Sequence, residues 1–183
     1  MSHDPSVTTY DLIENYRNSQ SILSFARSII LQAGYDYRDI SIPIRTAPGK
    51  VISVDYSPVA IARTIKRKGD FNSWFVLCRT NDQVDEMMYY LESEKVPCVS
   101  FKRAQYTNKE LYDKLKEDTV KVLTIHTAKG LEADNVVVIG ARFYNLEEKC
   151  VSYVAATRAR NLLVWTHMPT KPKKARSTSS WET

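Results

Sequence analysis

The feature that most constrains this chain is a pair of strand-like runs, VKVLTI at 120–125 and NVVVIG at 135–140, separated by a short polar segment. Both are rich in β-branched residues and apolar at successive rather than alternate positions. A strand apolar on both faces has to be covered on both faces, the situation of a strand inside a parallel sheet. Parallel neighbours need crossover connections, so helices are required on either side. The rest of the chain meets that demand. A helix is predicted over 20–32, with Ser19 as N-cap, Gly34 beyond its end and Ile22, Phe25, Ala26, Ile29 and Ile30 as its apolar stripe. VISVDY (51–56) alternates as a strand, and Ser57-Pro58 opens a helix to about Lys68. FVLCR (75–79) reads as a strand, 82–95 as a helix, VPCVSF (96–101) as a strand and 108–117 as a weaker helix. A helix over about 147–159 and a strand NLLVW (161–165) complete the series. The pattern predicts a single doubly wound α/β domain, its sheet mainly parallel with helices on both faces. Ligands of such folds bind beyond the carboxyl ends of the strands. That rule points to Arg79–Asn81 after one strand and His126–Glu132 after another.

Composition narrows the class. The 183 residues are 43% hydrophobic and 26% charged, which excludes a disordered, collagenous or coiled-coil chain. No run of about 18 apolar residues is present, and MSHDPSVTTYD lacks an apolar signal core. The three cysteines, Cys78, Cys98 and Cys150, form no CxxC pair and are expected to be core thiols in a reducing cytoplasm. His3, His126 and His167 do not cluster, so no metal site is expected. With 26 Lys+Arg against 21 Asp+Glu, the net charge of +5 hints at an anionic partner. Part of that charge is Lys171, Lys173, Lys174 and Arg176, in a Ser/Thr/Pro-rich end expected to be a flexible basic tail over 168–183. Residues 1–9 read as an N-terminal extension or an expression remnant.

A complete nucleotide site is missing from the sequence. Gly49-Lys50 is the only Gly-Lys pair, with Ile44 at the first Walker A glycine position and Val51 where a Ser or Thr is needed. No GxGxxG occurs, and no paired acids follow an apolar strand as a Walker B motif would. No nucleophile–base pair suggests an independent hydrolase.

Three segments carry chemistry. TIHTAKGLE (124–132) fills the gap between the two most apolar strands with polar side chains and a glycine. YVAATRAR (153–160), read as helix, puts Val151, Val154, Ala155 and Arg158 on one face, so that a guanidinium ends an apolar stripe. LIENYRNS (12–19) precedes the first helix.

Together these resemble superfamily 1 DNA helicases of the UvrD/Rep type, in their second, C-terminal RecA-like motor domain. ENYRNSQSIL resembles motif IV, FVLCRTNDQ motif IVa, TIHTAKGLE motif V and YVAATRAR motif VI, in the family's order over about residues 10–167. The resemblance implies a RecA-like fold without the P-loop. KGLE resembles the 3′→5′ branch.

The resemblance also implies roles. Arg17 and Arg158 would reach the γ-phosphate of ATP as arginine fingers, for which a planar, permanently charged fork is suited. Tyr16 would stack on the adenine and Glu132 accept a ribose hydroxyl, with Lys129 and Gly130 shaping that loop. Arg79, Asn81, Thr124 and His126 would grip the single-stranded DNA backbone. The N-terminal RecA-like domain of the same parent protein would hold most of the ATP and the Mg²⁺, so this chain alone is expected to be inactive. Each residue also has a plainer reading. Tyr16 suits a core, His126 a structural role, Arg17 and Arg79 ion pairs, Glu132 a solvated loop, and Gly130 a turn of positive φ.

Two departures from the family stand out. Asn18 stands where the family usually has Ser. Only 42 residues lie between Asn81 and Thr124, which leaves no room for the large accessory domain that relatives carry there. The expectation is thus half of an ATP-driven DNA motor, cytoplasmic, bacterial or phage-encoded, with no membrane association and no obligate homo-oligomer. The alternative is a non-catalytic DNA- or protein-binding module that retains the fold.

Overall fold

The computed structural model describes residues 14–15, 19–31, 42–43, 49–101 and 107–169. Two residues, Glu14–Asn15 (β1), pair in parallel with Ile42–Pro43 (β2). The body of the fold is a six-stranded, wholly parallel sheet. Its strands are Lys50–Asp55 (β3), Trp74–Cys78 (β4), Cys98–Phe101 (β5), Val120–Thr124 (β6), Ala133–Ile139 (β7) and Ala159–His167 (β8), in spatial order β3-β8-β7-β4-β6-β5. The helices are Gln20–Leu31 (α1), Pro58–Lys68 (α2), Asn81–Ser93 (α3), Asn108–Leu115 (α4) and Leu146–Ala156 (α5). This is the doubly wound α/β architecture expected from the apolar strand runs.

The strand pleat divides the core in two. Phe75, Leu77, Leu123, Val136, Val138, Leu163 and Trp165 face one side, where Ile22, Ala26 and Ile29 of α1 and Ala155 and Ala156 of α5 cover them. Trp74, Val76, Cys78, Val120, Val122, Val137 and Ile139 face the other, against Ile61, Ala62 and Ile65 of α2 and Val84, Met87 and Leu91 of α3. Every residue of β4 is buried, as a central strand requires. Among the described residues no helix is long and apolar enough to cross a membrane.

Local chemistry sets the helix starts. Ser57 accepts from the Ala60 N–H ahead of Pro58, and Thr80 and Thr107 each form a reciprocal capping box, with Gln83 and Glu110. Between Asn81 and Thr124 the described residues form α3, β5, α4 and β6. Ser19 caps α1 at 3.5 Å from the Ile22 N–H, but Gly34 lies outside the described residues. Only Cys78 is fully buried; Cys98 and Cys150 are half-buried, because β5 is an edge strand and Cys150 sits on the flank of α5.

Candidate nucleotide and nucleic-acid faces

Strand register brings the candidate residues into two rows at opposite ends of the sheet. At the carboxyl end Thr124, Cys78 and Ile139 stand abreast on β6, β4 and β7. Three loops therefore leave the sheet about 4.8 Å apart. The first holds Thr124 and His126, the second Arg79 and Asn81, and the third runs from Gly140 to Asn145. At the amino end Ala133 of β7 pairs with Ala159 of β8, so Glu132 and Arg158, each one residue earlier, are neighbours. The seven residues of β7 span the distance between the rows, about 20 Å.

This corrects the placement of 126–132 in one carboxyl-end loop. β6 and β7 are parallel with β4 between them, so the segment must traverse the sheet face from one end to the other. It leaves β6 in a turn in which Ala128 N–H donates to Thr124 O (3.1 Å) and Leu131 N–H to Ala128 O (2.9 Å). Buried Ile125 and Ala128 pin the turn to the core, while His126 and Lys129 are exposed. Gly130 has φ +83°, a conformation costly for a side-chain-bearing residue. Thr124 Oγ1 bonds Thr127 Oγ1 at 2.9 Å and accepts from the Thr127 N–H. Ile125, His126, Lys129, Glu147, Cys150 and Val151 line much of a cavity of about 240 Å³ between this turn and α5.

At the amino end the segments 124–132 and 153–160 form one hydrogen-bonded unit. α5 stops at Ala156, so Arg158 lies in the turn into β8 and not on the helix face predicted for it. The helix ends early because β8 starts at Ala159, drawn into the sheet by its register with Ala133. The Arg158 guanidinium donates to Val154 O (3.1 Å), Leu131 O (3.3 Å) and Thr157 Oγ1 (3.2 Å). Its carbonyl accepts from the Ala133 N–H at 3.0 Å. Both residues flanking Glu132 are thus tied to Arg158. The Glu132 carboxylate pairs with Arg160 at 3.1 Å, and Arg160 also reaches Asp134 at 3.7 Å. These three residues border a depression of about 350 Å³ that also takes in Asp70, Asn72 and Ser73.

Arg79 is held in an ion pair. Its Nε and Nη2 donate to Glu148 Oε2 (2.8 Å) and Oε1 (2.6 Å) in a bidentate pair. The Glu148 side chain is only 6% exposed, and Tyr144 Oη adds a bond to it at 3.4 Å. The hydrogen bonds from Arg79 hold the Glu148 carboxyl below the usual carboxylate range, and the same bonds raise the Arg79 guanidinium. Nη1 is the guanidinium nitrogen outside that pair. Asn81 opens α3 and is exposed. Tyr16 and Arg17 lie outside the described residues.

Sequence reasoning missed two features. Lys121, inside an apolar run, is fully buried and donates to Asn72 Oδ1 (2.7 Å), Thr119 O (2.7 Å) and Glu117 O. Burial lowers its pKa, against the opposing pull of Glu117 and Asp118. The Arg79–Glu148 pair links residues 69 positions apart, and nothing local announces it. Among the described residues no group of three or more His, Cys, Asp or Glu side chains is placed to hold a metal ion.

The fold matches solved structures. It superposes on the C-terminal domain of a possible DNA helicase from Lactobacillus plantarum WCFS1 with a TM-score of 0.56 and 17% identity, over 84% of this chain and 88% of that one. The helicase domain of Pyrococcus furiosus Hef gives a TM-score of 0.44 and 17% identity, over 67% of this chain and 27% of that one. No curated protein sequence matches the chain. Residues 101–169, which contain both the 124–132 crossover and the Arg158 turn, match the model of the UvrD-like helicase C-terminal domain family. Over those residues the chain is thus similar to a UvrD-like helicase C-terminal domain, on a fold shared with a solved domain of that kind.

Proposed function

We propose that this domain is the second motor domain of an ATP-dependent DNA helicase or translocase moving 3′→5′. ATP would bind between the amino-end row and an N-terminal RecA-like domain of the same parent protein. Arg158, with Arg17, would supply guanidinium groups to the γ-phosphate, Glu132 would accept a ribose hydroxyl and Tyr16 would stack on the adenine. Lys129 and Gly130 would shape the crossover. Asn81, Thr124 and His126, with the remaining Arg79 nitrogen, would grip the backbone of single-stranded DNA at the carboxyl end. Among the described residues none is grouped to hold a Mg²⁺ ion, so the metal is assigned to the N-terminal domain.

The observation that supports this reading is the segregation of the motif residues to two ends of one sheet, joined by the 124–132 crossover. A motor needs a nucleotide face and a track face that are separate yet mechanically connected. The bond that the Arg158 guanidinium donates to Leu131 O, with the one that the Ala133 N–H donates to the Arg158 carbonyl, would make such a connection, because moving the guanidinium toward a phosphate would pull on the crossover whose far end carries His126. A module that only bound DNA would need no arginine at the amino end.

The test is steady-state turnover by the two-domain protein. Arg158→Ala is expected to lower ATP hydrolysis by about 10³-fold or more while nucleotide binding persists, since the charge acts on the transition state. Arg158→Lys is expected to recover little, because an ammonium cannot reproduce the fork. Near-normal turnover by a folded Arg158→Ala protein would return Arg158 to a purely structural role.

A further inference from the structure

We propose that Tyr144 is a nucleobase-stacking residue of the single-strand face, an inference that rests on the DNA grip described above. The loop after β7 and the first residue of α5 present Phe143, Tyr144 and Leu146 to solvent, with Tyr144 72% exposed. Exposed apolar side chains occur singly on any surface, but three within four residues form a patch.

The loop is held in place, and this separates it from a loose tip. Ser152 Oγ donates to Arg142 O at 2.9 Å, and Asn145 caps α5. Phe143 packs on buried Trp165 at a ring-centroid distance of 6.0 Å. Tyr144 Oη donates to Glu148, the carboxylate that also grips Arg79. The ring is therefore tethered by its hydroxyl edge, and among the described residues no ring contact covers its faces. Among the described residues the other two strongly exposed tyrosines differ. Tyr89 sets its ring against Tyr90 at 5.2 Å, and Tyr112 has the Lys116 ammonium over its face at 4.3 Å.

Register supplies the neighbourhood. Ile139, Cys78 and Thr124 are abreast, so the Tyr144 loop emerges beside Arg79–Asn81 and two strands from His126. An aromatic face beside a row of phosphate-binding groups suits an unstacked base of a single strand, whatever its sequence. Duplex DNA, with its bases already stacked, offers this ring nothing.

The experiment is fluorescence anisotropy of the full chain at low salt with an oligothymidine and with an abasic strand carrying the same number of phosphates. Tyr144→Leu is expected to weaken oligothymidine binding about five- to hundredfold, and Tyr144→Phe to stay within about twofold of the unaltered chain. Binding of the abasic strand and the dependence of affinity on salt are expected to be the same for all three. Tyr112→Leu is the control for loss of an exposed ring and should bind both strands normally. The proposal is overturned if Tyr144→Leu binds oligothymidine normally, or if it loses the abasic strand to the same extent. If the unaltered chain binds neither strand, the DNA grip itself is wrong and the stacking role goes with it.

Discussion

The side chain that most shapes the carboxyl end is Glu148. Its bidentate pair with Arg79 ties the end of β4 to the start of α5, and Tyr144 is hung from the same carboxylate. Glu148→Gln leaves a guanidinium without its counter-charge, and chemical denaturation is expected to show a loss of about 2 kcal/mol. The pH dependence follows from the lowered Glu148 pKa. Its stabilising contribution is complete above the ordinary carboxyl value of 4.5 and disappears as pH falls through the lower folded value. Glu148→Gln should therefore flatten the acid limb of a stability-against-pH profile. A profile unchanged in the acid range would show that the pair contributes nothing. At the sheet's other end, Lys121→Ala removes a buried stem and three charge-assisted bonds. The expected cost is about 3 kcal/mol, read from the same denaturation curves.

At the scale of elements, the start of α3 is built against the turn after β7. Gln83 Oε1 accepts from the N–H groups of Arg79 (3.0 Å) and Thr80 (3.2 Å), closing the capping box. Gly140 lies against it with φ +76°, and a methyl group there would sit 2.8 Å from Gln83 Cδ. Gly140→Ala combines backbone strain with loss of the cap, so thermal unfolding should report a destabilisation of about 2 kcal/mol. Gly130→Ala provides the contrast. Its φ of +83° brings strain, but nothing lies near the added carbon, so the loss should be smaller, about 1 kcal/mol. Equal losses at the two glycines would remove the Gln83 contact from the explanation.

For the whole molecule the proposed function implies a division of labour. The chain presents arginines but neither a phosphate-wrapping loop nor, among the described residues, a metal site. The 183-residue chain alone is expected to turn over ATP at background, with or without single-stranded DNA. DNA-stimulated turnover that survives repurification would contradict that. Its binding to single strands is expected to be weak, sequence-independent and salt-sensitive, because half a grip neutralises only a few phosphates. Tight or sequence-selective binding would favour the alternative of a non-catalytic module.

The sequence by itself determined the class of fold. Strands such as VKVLTI and NVVVIG are apolar on both faces and can rest only inside a covered parallel sheet, and hydrophobic periodicity is a local property that survives without coordinates. It also determined the motif residues at 124–132 and 153–160, whose identities are written in the chain. Tertiary structure alone decided where those residues lie. That 124–132 crosses the sheet from end to end depends on β4 lying between β6 and β7, and strand order is no local property. That Arg158 leaves the helix depends on β8 pairing with β7, and that Arg79 is held by a carboxylate depends on Glu148, 69 residues away. Lys121 reads as a defect in an apolar strand until Asn72 and two carbonyls are seen around it. A charge is tolerated inside a protein only when its partners are present, and those partners come together only in the folded chain.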